Sequence, residues 1–201
     1  MGYLFLIFAL LFGLIKAYCG KKSALSLVHP SDAFVVNTIR MVMCLIIGII
    51  MALLNGENVL FFIDRQTILI SLLSGISMGA FVVCWFLCVS NTAYMVVEVF
   101  VMSGVVVPLI LCVIFYKEHI GAVQLMGISM LLVAVYCMCT YGKTEKIEIS
   151  LKEIIILGIC ALSSGMTDFS QKLYIKEVKN ASIIIFNLYT YFFADMIFYF
   201  Y

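Results

Sequence analysis

Residues 91–141 read NTAYMVVEVFVMSGVVVPLILCVIFYKEHIGAVQLMGISMLLVAVYCMCTY. Two apolar runs, 92–115 and 120–141, are separated only by Tyr116, Lys117, Glu118 and His119. A hydrocarbon core about 30 Å thick takes about 20 helical residues at about 1.5 Å each, so either run is long enough to cross it. The segment therefore predicts a transmembrane helical hairpin. Pro108 lies near the middle of its first helix, where it removes the amide that would bond the carbonyl of Gly104 and should bend the helix. Lipid cannot satisfy that carbonyl, so the bend is expected to face protein or a water-filled cavity. The same helix carries Glu98, with Tyr94 and Met102 on its face. A carboxylate on a bent helix reads as cavity-lining.

Composition agrees with the hairpin. Of 201 residues, 65% are hydrophobic and 11% charged, and the mean hydropathy is +1.20, which is the profile of a polytopic all-α membrane protein. The net charge is +1 and no lysine or arginine run forms a phosphate-binding face, so nucleic acid is not an expected partner. No basic residue precedes Lys16 and no small-residue cleavage site follows the first apolar run, which is therefore expected to be the first span rather than a cleaved signal peptide. The eight cysteines fall almost wholly inside apolar runs, with no C-x-x-C pair and no histidine within a helix interior. They read as small packing residues, and neither a metal nor a cofactor is expected.

Hydropathy predicts seven spans, at about 2–19, 34–54, 67–89, 92–115, 120–141, 151–171 and 181–201. Ser31 and Asp32 are candidate caps of the second span, and Asn55 and Gly56 supply turn chemistry at its end. The third holds Ser71, Gly75 and Gly79 at i, i+4 spacing, a small-residue stripe that lets another backbone approach. The most polar linker, 142–150, divides a first unit, 1–141, from a second, 151–201. Ser150 and Glu153 have the spacing of a capping box and place the next helix start near Leu151.

Across the linker a faint repeat pairs 9–13 (ALLFG) with 161–165 (ALSSG), and 34–37 (FVVN) with 184–187 (IIFN). Five spans per unit is an odd number, so a second copy enters from the opposite side, as an inverted repeat with substrate sites near the midplane.

Pro108, the apolar run after it, Glu118, Gln124 and Gly127 follow in an order that resembles the closing motif of an EamA-type repeat of the drug/metabolite transporter superfamily. Arg40, after Asn37, Thr38 and Ile39, resembles the arginine of that family's second helix, and 72–88 its Gly-rich third. Ala134 stands where the family usually has a second glycine. The resemblance covers most of the chain and implies a cytoplasmic amino terminus in the cell membrane. It also implies three further helices, so a chain stopping at Tyr201 would comprise one complete five-helix repeat plus two helices of the second. Charge does not choose an orientation: five lysines and arginines fall in connections on one side and six on the other.

An ionisable side chain near the bilayer centre costs about 2.5 to 3.5 kcal/mol, so such residues mark candidate transport paths. Glu98 has no cation three or four positions away, and reads as a substrate contact or proton carrier, or as a carboxylate reaching water near the helix start. Arg40 can hold an anionic group, pair with Glu98, or snorkel. Lys16 and Asp168 occupy equivalent repeat positions and can face each other across a cavity, although Lys172, four residues after Asp168, offers it an ordinary helical pair. Asp195 shares a polar stripe with Asn187 and Tyr191. Glu118, at a helix end beside Lys117, reads as positional.

These features predict a secondary transporter moving a small metabolite (an amino acid, sugar or drug-like solute) through the bilayer by alternating access. A proton or sodium ion is the candidate coupling ion, and a homodimer is left open. The alternatives are an inactive fragment or a non-catalytic interaction subunit. An intramembrane enzyme would need a base within about 3 Å of Ser74 or Ser164, and neither His29 nor His119 is placed to supply one.

Overall fold

The computed structural model describes residues 30–56, 64–91, 94–144, 151–178 and 182–199, together with 3, 7–8, 11–13, 15, 18–20 and 22. Among these residues the secondary structure is helical: α1 (Pro30–Leu54), α2 (Arg65–Asn91), α3 (Tyr94–Ser103), α4 (Val106–Tyr116), α5 (Ala122–Thr144), α6 (Leu151–Glu177) and α7 (Ile183–Tyr199). The described residues before α1 are helical as well. The expected second to seventh spans are all present as helices, with the fourth divided into α3 and α4. Four helical stretches are long and apolar enough to cross a membrane: Phe34–Leu54, Arg65–Val89, Val96–Tyr116 and Leu151–Glu177. Leu11–Gly20, Ala122–Cys137 and Ile183–Phe198 are apolar but shorter.

Local chemistry explains most boundaries. The first turn of α1 already includes Pro30, where a proline loses no helical hydrogen bond, so Ser31 and Asp32 lie inside that turn rather than ahead of it. At its other end the Asn55 side-chain amide donates to the Met51 carbonyl at 3.0 Å, and the chain leaves through Gly56. α6 begins at Leu151 with Glu153 in its first turn. Its expected capping partner, Ser150, lies outside the described residues.

The break between α3 and α4 corrects one expectation. The Gly104 carbonyl is not left unbonded by Pro108: the chain tightens by one residue and the Val107 amide donates to it at 3.0 Å, while the Gly104 amide donates to Val101 at 3.0 Å. The break faces protein, because Gly104 is buried against α6. A methyl group at Gly104 would overlap the Ala161 carbonyl, and one at Gly165 would overlap the Gly104 carbonyl and stand 2.7 Å from the Cβ of Val107. Glycine on both helices is what lets the two backbones touch.

The helices on the two sides of the linker share one interior. α2 packs against both α6 and α7, α1 packs against α7, and α6 receives α3 and α4 along its length. The stripe on α2 lies along α7: a methyl at Gly75 would stand 2.5 Å from the Cβ of Phe193 and 3.1 Å from the Thr190 carbonyl, and Gly79 meets Ile197. α5 rests mainly on α3, and its outer residues, among them Val123, Met126 and Met130, are exposed.

Three apolar clusters fix the helix directions. Cys88 and Val89, at the end of α2, meet Val96 and Val97 at the start of α3 and Leu157 near the start of α6. At the opposite end, Ile70 of α2 meets Tyr174 and Val178 at the end of α6 and Phe186 at the start of α7. Met41, Val82 and Phe198 pack together between α1, α2 and α7. α2 and α6 therefore run antiparallel, α3 turns back from the end of α2, and α7 turns back from the end of α6.

Candidate functional site: a cavity shared by Arg40 and Glu98

A cavity of about 250 Å³ lies in the half of the bundle that holds the end of α2 and the start of α3. α1 contributes Arg40, α2 contributes Met78, Phe81, Val82 and Trp85, and α3 contributes Tyr94, Glu98 and Val101; Gly13 and Gly20 complete the wall. Their placement follows from the α2–α3 hairpin. Only residues 92 and 93 separate the two helices, so side chains a similar number of positions from the turn face each other.

Trp85 and Glu98 are such a pair. The indole Nε1–H donates to Oε1 of Glu98 at 3.4 Å, and Tyr94 also hydrogen-bonds the carboxylate from one turn earlier on the same helix. The Trp85 ring stands edge-on to Tyr94, 6.2 Å between centroids and 90° between planes, and edge-on to Phe86 at 5.2 Å. A methyl at Gly20 would stand 3.2 Å from the indole. Glu98 is therefore held by two aromatic donors and retains surface toward the cavity.

Arg40 enters the same cavity from α1, near Cys44 and Tyr191. No ion pair joins it to Glu98, and among the described residues it makes no salt bridge. A guanidinium and a carboxylate thus border one aromatic-walled space without closing on each other. That arrangement leaves each free to meet a group of opposite charge on a solute.

The remaining candidates lie elsewhere. Lys16 is outside the described residues. Asp168 is exposed on α6 and does not line the cavity. Its expected helical pairing is absent, because Lys172 turns instead to Glu118, with 2.6 Å between Nζ and Oε2. Glu118 is thus more than a helix-end residue: it bridges the α4–α5 connection to α6. Asp195 is half-buried on α7, with one carboxylate oxygen buried and without a hydrogen-bond partner among the described residues. The hydroxyls of Ser71, Ser74 and Thr190 are buried in the same condition.

Sequence reading did not single out Trp85. The available signal was the combination of the chain's single tryptophan with the two-residue connection that sets the hairpin register. The chain matches no family model, no curated protein and no solved structure.

Proposed function

We propose that the chain is a multi-pass membrane protein that moves a small solute by alternating access, with the Arg40–Glu98 cavity as its binding site. Membrane embedding is supported by the outward faces: Ile39, Met43, Ile47 and Ile50 along α1, and Val123 and Met130 on α5, are all exposed apolar residues. Soluble domains rarely leave apolar surface contiguous on that scale. The resemblance to EamA-type repeats supports a place among drug/metabolite transporters in the cell membrane. On that reading the units either side of 142–150 are inverted repeats that interlock, α2 lying between α6 and α7.

The observation that carries the reading is two opposite charges bordering one cavity of about 250 Å³ with no ion pair between them. A guanidinium and a carboxylate bordering one cavity would attract each other into direct pairing. Holding them apart makes sense if a solute bearing both signs, or one sign with a coupling proton on Glu98, completes the site. Trp85, Phe81 and Tyr94 provide apolar contact for the rest of such a solute. The test is ligand-dependent stabilisation of the purified protein across panels of zwitterionic, cationic, anionic and neutral small molecules. A charged compound that raises the unfolding temperature of the wild type but not of both Glu98→Gln and Arg40→Gln is the expected result. Equal stabilisation of all three proteins, or none by any charged compound, would remove the cavity from the function.

A further inference from the structure

Two networks of charged and polar side chains lie at opposite ends of the bundle. One is the cavity, level with the cluster of Cys88, Val89, Val96, Val97 and Leu157. The other, level with Tyr174, Val178 and Phe186, joins the end of α4 to the end of α6. There Glu118 accepts hydrogen bonds from Lys172, at 2.6 Å, and from Lys176. Tyr116 donates to Glu177 at 3.4 Å, and the Lys176 ammonium stands 3.9 Å above the Tyr116 ring. Lys117, the residue between, adopts a left-handed backbone conformation with φ 51°, which ends α4 and turns the chain. Beneath these contacts Phe115 packs on Phe169, with 5.9 Å between centroids, and the buried Cys112 lies within hydrogen-bonding reach of Lys172.

We infer that Glu118, Lys172 and Lys176, braced by Tyr116 and Glu177, form a latch that closes the bundle at the end opposite the cavity and must open for solute to pass there. The inference rests on the transport reading for its role as a gate. Its geometry stands independently. Gly104, in the break before α4, touches the α6 backbone at Ala161 and Gly165, near mid-length of α6; beyond that point the polar contacts above, with the Phe115–Phe169 pair, tie the two ends together. A contact where glycines face each other and only Val107 packs on Gly165 can act as a pivot, whereas the ion pairs can break and reform in water at low cost. One carboxylate between two lysines also suits a reversible contact: losing one lysine leaves the other in place.

Cys112 reports the state of the latch, since it is buried directly under Lys172. In lipid nanodiscs, where both faces meet solvent, its modification by a charged thiol reagent can be followed residue by residue by mass spectrometry. Glu118→Gln should raise the Cys112 rate about fivefold, the order expected for losing two partly exposed ion pairs. Cys88, buried at the other end, and Cys160, buried near mid-length of α6, should keep their wild-type rates. The charge exchange Glu118→Lys with Lys172→Glu and Lys176→Glu should return Cys112 to slow reaction. An unchanged Cys112 rate, or an equal rise at all three cysteines in both variants, would overturn the latch. Solute movement distinguishes the two levels of the proposal. A Cys112 response in a protein that moves no solute keeps the latch and removes the transport reading. Transport with neither a Cys112 response nor inhibition by a Glu118→Cys, Lys172→Cys cross-link keeps transport and removes the latch.

Discussion

Glu98 illustrates what a single residue reveals and what it leaves out. Its position inside an apolar run, without a cation three or four residues away, was enough to identify it as a cavity candidate, because burying a carboxylate needs a reason. Its donors were not legible, since hydropathy treats Trp85 as one more apolar residue and carries no information on where the indole N–H points. Removing that donor by Trp85→Phe should weaken binding of a stabilising solute about fivefold, the equivalent of one hydrogen bond of about 1 kcal/mol, as read by titration of the unfolding temperature. Lys117 offers a test that is independent of function. A lysine in the left-handed region is strained where glycine is not, so Lys117→Gly should raise stability by about 1 kcal/mol in reversible detergent unfolding. A loss of stability would mean that the lysine side chain matters more than its backbone.

At the scale of helices, the interrupted α3–α4 segment was half readable. Pro108 and Gly104 marked the break, but the fate of the Gly104 carbonyl depended on the neighbouring amide of Val107, which proline leaves intact. The touching partner, Gly165, was noticed only for its repeat position, because a glycine's packing neighbour cannot be read from its own sequence. The contacts make contrasting forecasts for glycine substitutions. Gly165→Ala would drive a methyl into the Gly104 backbone and should cost about 1 to 3 kcal/mol in the same unfolding measurement. Gly158→Ala and Gly127→Ala, with nothing within 4 Å of the added methyl, should be neutral or should stabilise by up to about 1 kcal/mol through helix propensity. Equal effects at all three positions would argue against the crossing.

Over the whole molecule, the helical type and the places of the helices from α1 to α7 were legible from apolar run length, whereas the interleaving of α2 between α6 and α7 was not: run lengths order helices along the chain but not around a bundle. The pairing of Lys172 shows the same limit, since the i+4 rule sees Asp168 on its own helix and cannot see Glu118 in the α4–α5 connection. The charge of Glu118 ties the latch to pH. Lys172 and Lys176 hold its carboxyl below the ordinary value of 4.5, so its contribution is whole above that value and is lost as pH falls through the lower folded value. The Cys112 modification rate, corrected for thiolate ionisation against a free small-molecule thiol in the same buffer, should therefore rise only in the acid range below 4.5, and Glu118→Gln should abolish that rise.

Solute movement itself is the most direct test of a binding cavity bordered by Arg40 and Glu98. Vesicles containing the protein, exposed to a mixed pool of small metabolites and analysed by mass spectrometry, should gain at least one charged solute roughly tenfold faster than vesicles bearing Glu98→Gln, the factor that 1.4 kcal/mol of lost interaction produces. If no solute enters faster than in protein-free vesicles, or if Glu98→Gln and Arg40→Gln move every solute at the wild-type rate, the cavity is not a transport site.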